Sequence, residues 1–164
     1  MPGSGTWYFI QWVHFLALSL WIGGITALAA IAAPAAHHAM VSKTVAGDIV
    51  GRILKKLNTV ELGCCLLLVL TSLSSFRFVR ARENELGVMI LIVLFMGILT
   101  AYYSFHLTPR LESLKQNIPT LDSLSSTNAA KMEFDRLHRL YVKLMSLNLV
   151  LALAVLYASV IIFK

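Results

Sequence analysis

The chain has 164 residues, 58% hydrophobic and 13% charged, with a mean hydropathy of +0.76. A water-soluble domain carries about a quarter of its residues as charges, so this composition excludes an ordinary soluble globule and asks for lipid as part of the solvent. The net charge of +6 sits between apolar runs without any nucleic-acid-binding motif, which suits anionic headgroups and excludes nucleic acid as a partner.

Residues 8–36 form the first predicted span. A helix crosses the hydrocarbon with about 20 apolar residues, so this one is long enough to tilt or protrude. Its second half is rich in small residues (Gly23, Gly24, Ala27, Ala29, Ala30, Ala32, Ala33) and is expected to pack closely on a neighbour. Pro34 loosens the helix near its exit. The stretch lacks a basic n-region and is too long for the apolar core of a signal peptide.

From Thr44 to Thr59 the pattern becomes amphipathic, with Val45, Ile49, Ile53 and Leu57 opposite Asp48, Arg52, Lys55 and Lys56. This is either a surface helix or an extension of the second span, which covers residues 60–79. The turn RARENE leads to a third span over 86–105, and its brevity makes the two helices antiparallel neighbours. The third connection runs from His106 to about Leu137. Pro109 and Pro119 bracket Leu111, Leu114 and Ile118, LDSLSST reads as loop, and Thr127 or Asn128 suits a helix N-cap. A basic helix then enters the fourth span, 140–163. The predicted fold is all-α: one integral membrane four-helix domain with amphipathic extensions at the cytoplasmic face and no internal repeat.

Lys43, Arg52, Lys55, Lys56, Arg110, Lys115, Lys131, Arg136, Arg139 and Lys143 lie in or beside the first and third connections, against Arg77, Arg80, Arg82 and Lys164 at the other end. The positive-inside bias puts those two connections in the cytoplasm and both termini outside.

Chemistry rests on five histidines. His37, His38, His106 and His138 fall near the inner rim, where imidazoles from several helices suit a metal or haem site; the competing reading is half-solvated interfacial residues. His14 lies within the span and needs a partner. Met89 reaches a similar depth, so a His/Met haem pair is one reading. A hydrogen bond to Ser72, Ser74, Ser75 or a backbone carbonyl is the favoured one. Cys64 and Cys65 diverge on a helix and read as small apolar groups, Met96 and Met145 as gap-fillers. Glu61 reads as the inner start of the second span, able to pair with a basic residue of the third connection. With no carboxylate expected along an intramembrane path and no inverted repeat, a transporter finds little support. There is also no nucleophile–base pair, carboxylate pair or Gly-rich phosphate loop.

The segments HFLALSLWIGG (from His14), AAP, AGDIVGRIL, HLTPRLESLK (from His106) and FDRLHRLYVKLMSLNLVLAL occur in an order that resembles the four-helix membrane family called domain of unknown function 4149, which includes the transmembrane protein 205-like proteins. The resemblance maps that family's step into the third connection onto Pro109, Arg110 and Leu111, and its entry to the last helix onto Phe134, Leu137, His138 and Arg139. It implies a fold and no settled chemistry. The spacing of His14, Trp21 and Gly24 also resembles, more distantly, the first helix of copper resistance protein D and of HemJ-type protoporphyrinogen oxidases; the latter implies His14 as an axial haem ligand. This chain lacks the further intramembrane histidine of that pattern. The expected role is therefore a small non-enzymatic accessory or structural membrane subunit without cofactor. It would meet anionic headgroups and other membrane proteins or copies of itself. The alternative is a b-type haem or copper protein for electron transfer or metal handling through His14.

Overall fold

A computed structural model describes residues 5–39, 42–79, 82–116 and 129–164. The expected bracket at Pro119 with Ile118, the LDSLSST loop and the N-cap at Thr127 or Asn128 lie outside the described residues. The described residues form six α-helices: α1 (Gly5–Ala27), α2 (Ala33–Ala39), α3 (Lys43–Ser75), α4 (Glu83–Tyr102), α5 (Thr108–Gln116) and α6 (Ala129–Ile162). Wide π-helical turns, Leu28–Ala32 and Tyr103–Leu107, fuse α1 to α2 and α4 to α5. Four continuous helices result, each long and apolar enough to cross a membrane: Gly5–Ala39, Thr44–Ser75, Glu83–Gln116 and Ala129–Ile162. The protein is a multi-pass four-helix bundle.

Of the two readings of the amphipathic segment from Thr44, the structure has the extension: the segment is the first half of α3. One fusion corrects a sequence boundary. The third span does not stop at Phe105, because its helix continues through Pro109 to Gln116. Both interior prolines use one device. Proline has no N–H, and its ring presses on the carbonyl four residues earlier. Directly before Pro34, the Ala33 N–H reaches back to Leu28 O; directly before Pro109, the Thr108 N–H reaches back to Tyr103 O. Each bond spans five residues instead of four, which widens the turn and lets the helix pass the proline.

Most buried positions follow one rule in all four helices, with Ala17 and Ser72 as buried neighbours beside the series. The series are His14, Leu18, Trp21, Ile25 and Leu28; Asn58, Glu61, Cys64, Leu68, Thr71 and Ser75; Leu86, Met89, Val93, Met96, Thr100, Tyr103 and Leu107; and Leu137, Tyr141, Met145, Asn148, Ala152, Val155, Ser159 and Ile162. Steps of three and four alternate along most of each series, a repeat that left-handed supercoiling keeps turned toward the partner helices. The main contacts close a ring: α1 on α3, α3 on α4, α4 on α6, and α6 back on α1. Only 28% to 33% of each apolar window is buried, so most apolar side chains, such as Phe105 and Tyr157 at 72% exposure, must be covered by lipid or by another protein.

At the end holding both termini, Gln11 Nε2 donates to Phe163 O (3.1 Å) and Arg82 Nη1 to Ile161 O (3.0 Å), satisfying carbonyls that the end of α6 leaves unpaired. The small half of the first helix meets the bundle along one edge only. A Cβ on Gly24 would lie 2.5 Å from Leu57 Cδ1, whereas Gly23, Ala27, Ala29 and Ala30 face outward. α3 presses on α4 at Gly97, where a Cβ would lie 2.5 Å from Cys65 Sγ. Gly97→Leu should therefore cost about 1–3 kcal/mol through overpacking, while Gly87→Leu, with nothing within 4 Å, should be nearly neutral; thermal unfolding in detergent compares the two.

Candidate functional site

The inward seam carries two groups of polar residues, one toward each end of the bundle. Toward the end with the termini, His14 is fully buried. Its Nδ1 lies 2.8 Å from Thr71 Oγ1 of α3, and its Nε2 lies 2.9 Å from Ser159 Oγ of α6. Each hydroxyl can donate or accept, so either imidazole tautomer is served. Ser159 Oγ also lies 2.7 Å from Val155 O and 3.3 Å from Met89 Sδ, and its single proton serves one acceptor at a time. Phe15 and Phe163 pack edge-on against the imidazole. The expected serine partners are corrected: Ser74 bonds back to Leu70 O and Ser75 to Thr71 O, while Ser72 Oγ is buried without a partner. Thr71 takes their place. For an axial ligand pair, His14 and Met89 would each need a coordinating atom open to the metal; here both imidazole nitrogens face hydroxyls, an arrangement that does not fit the pair.

The second group centres on Glu61, which corrects the sequence reading outright. Glu61 is no helix start: it lies in the interior of α3, fully buried, and Tyr103 rather than a basic residue is its partner. The Tyr103 hydroxyl donates to Glu61 Oε2. Asn148 Nδ2 of α6 approaches Thr100 Oγ1 at 2.8 Å and Tyr103 Oη at 3.1 Å, and Thr100 Oγ1 lies 2.9 Å from Tyr103 Oη. One turn before Glu61, Asn58 Oδ1 accepts from Tyr141 Oη at 2.8 Å. Glu61, Thr100, Tyr103 and Asn148 are all fully buried, so α3, α4 and α6 meet on a carboxyl group away from solvent. The expectation of no carboxylate inside the spans fails here.

Below this group the helices splay around a cavity of about 940 Å³. His37 of α2, Arg52 of α3, Leu111 of α5, and Phe134, His138 and Tyr141 of α6 are among its walls. Ion pairs cross it, Lys55 Nζ to Glu112 Oε1 at 2.8 Å and Lys115 Nζ to Asp48 Oδ1 at 2.6 Å. Of the inner-rim histidines, His37 and His138 share this cavity. His138 stacks on Phe134, His106 stacks on Tyr102, and His38 is exposed. Among the described residues no three His, Cys, Asp or Glu side chains gather closely enough to hold a metal ion, so the four do not converge as the inner-rim metal reading requires. Their shared level along the bundle axis does not give them a shared direction around it. Of the family-like positions, Trp21 and Leu137 are core, Gly24 is the α1–α3 contact, and Pro109, Arg110 and Arg139 are exposed.

His14→Ala removes a ring enclosed by three helices and leaves two hydroxyls facing the gap. It should destabilise the bundle by about 2–4 kcal/mol, most of it from the cavity. Thermal unfolding of the purified variant measures this.

The family model of the domain of unknown function 4149 matches residues 16–119. No curated protein and no solved structure matches the chain. The match covers more than half of the sequence, and with four membrane-length helices around one seam the chain belongs to the domain of unknown function 4149 family.

Proposed function

We propose that the protein is a small structural or accessory component of a larger membrane assembly, or of a homo-oligomer, and that it docks through the outward small-residue face of its first helix. The observation that carries this reading is the exposure of Gly23 and Ala27, at small-xxx-small spacing, with exposed Ala30 three residues further along the helix. In lipid there is no hydrophobic drive between helices. Small residues that let backbones approach closely are what makes one helix face bind another. The basic end, with Lys56, Arg110 and Arg139 exposed, suits anionic headgroups and the cytoplasmic leaflet, which would put both termini outside.

A haem or copper role for His14 has its support in the first-helix spacing with Trp21 and Gly24; the hydroxyls on both ring nitrogens speak against it. Absorbance and metal analysis of protein extracted in mild detergent separate the roles. A colourless, metal-free sample is expected, and a Soret band or stoichiometric copper that disappears in His14→Ala would establish the alternative.

The docking face has its own test. Nothing lies within 4 Å of a Cβ at Gly23, so Gly23→Leu should leave the unfolding temperature of the isolated protein within about 1–2 °C. The same variant should lose the higher-mass band on a native gel of solubilised membranes. If that band survives Gly23→Leu and Ala27→Leu together, the face is not the contact.

A further inference from the structure

The Glu61 cluster is short of hydrogen. Tyr103 spends its single hydroxyl proton on Glu61 Oε2. Thr100 must then donate its own to Tyr103 Oη, at 2.9 Å. The two N–H bonds of the Asn148 amide are shared among Thr100 Oγ1 at 2.8 Å, Tyr103 Oη at 3.1 Å and Met96 O at 3.4 Å. Every donor is committed, yet two buried acceptors, Glu61 Oε1 and Asn148 Oδ1, have no partner. Both belong to residues bonded to the same phenol. Buried oxygens left this way signal something that satisfies them from outside the side-chain set.

Charge narrows what that is. Among the described residues no Lys, Arg or His forms an ion pair with Glu61. Cys64 lies a turn further on the same helix, Tyr103 faces the carboxyl from α4, and Tyr141 of α6 bonds to Asn58, one turn before Glu61. The first helix carries no titratable side chain between Trp21 and Ala36. An ionised carboxylate buried without a counter-charge is strongly disfavoured. We infer that Glu61, Tyr103, Thr100 and Asn148 form a binding site for one monovalent cation, a proton or Na⁺. The available atoms are oxygens from a single carboxyl, a phenol, a hydroxyl and an amide, a hard donor set with one negative charge. A proton on Glu61 neutralises the carboxyl; Na⁺ gives the carboxylate a counter-charge. Either makes Glu61 an intramembrane ionisable site of the kind that marks ion paths.

The cavity at the basic end supplies the approach. Tyr141 lines it and donates to Asn58, one turn before Glu61, and the Tyr103 and Tyr141 rings lie 5.1 Å apart. Its walls carry Asp48, Glu112 and Asp135 beside Arg52, Lys55, Lys115 and Lys131, with Glu112 and Asp48 paired to Lys55 and Lys115. Tyr141 links this mixed-charge cavity to Asn58.

The test uses the full chain in detergent at matched ionic strength, with unfolding temperature and adduct mass as readouts. Dicyclohexylcarbodiimide adds directly to a protonated carboxyl and raises the peptide mass by that of the reagent. For a Na⁺ site, NaCl raises the unfolding temperature over choline chloride by about 3 °C or more, suppresses the Glu61 adduct, and does neither in Glu61→Gln. For a proton site, the adduct forms regardless of Na⁺ and declines as pH rises. If Glu61→Gln fails to fold, the wild-type adduct and its response to Na⁺ and pH still decide. No adduct at any pH, with an unfolding temperature indifferent to Na⁺, overturns the inference and leaves a water filling the gap.

Discussion

Inside a bilayer a buried polar group has no water to fall back on, so each must find its partner in the protein. That constraint organises this bundle more than the hydrophobic effect does, because lipid tails are as apolar as the leucines that face them. Polar residues stand on the inward seam of every helix: His14, Asn58, Glu61, Thr71, Thr100, Tyr103, Tyr141, Asn148 and Ser159. Their bonds run between helices as well as within them. His14 joins the first helix to α3 and α6, and the Glu61 group joins α3, α4 and α6. A helix rotated by one residue, about 100°, would turn these groups into hydrocarbon. Register and rotation are thereby specified where apolar packing alone would leave near-equivalent alternatives.

The two π-helical turns extend this scaffold beyond the apolar windows. By passing Pro34 and Pro109 without breaking, the first and third helices carry His37 and the α5 residues Glu112 and Lys115 to the level of the α3 and α6 extensions. The cavity at the basic end exists because these helices continue past their prolines. Had either helix stopped there, the ion pairs Lys55–Glu112 and Lys115–Asp48 would have no frame to span.

The four helices were legible from the length of their apolar runs, a signal that lipid makes unusually direct. The seam was legible too. Glu61, Cys64, Leu68, Thr71 and Ser75 recur at three- and four-residue steps, which puts Glu61 on the same face as core Leu68. Hydropathy hid this, because Asn58 and Thr59 beside it make the position look like a span boundary. His14 was recognisable as a group needing a partner, but its partners were not: Ser72 and Thr71 are adjacent in sequence and point about 100° apart. The helix past Pro109 was missed because a proline reads as a stop unless the turn before it is known to widen. The rim histidines were placed by depth, and depth says nothing about rotation around the helix axis.

The central claim is that the hydrogen-bonded carboxyl at Glu61 couples helices across the seam, and a double-mutant cycle between Glu61→Gln and Tyr103→Phe measures that coupling without reference to any ligand. With the two groups bonded as described, the single losses should fail to add by about 1 kcal/mol or more. Losses that add to within about 0.3–0.5 kcal/mol would mean that the contact contributes nothing of its own and that the bundle is held by packing alone.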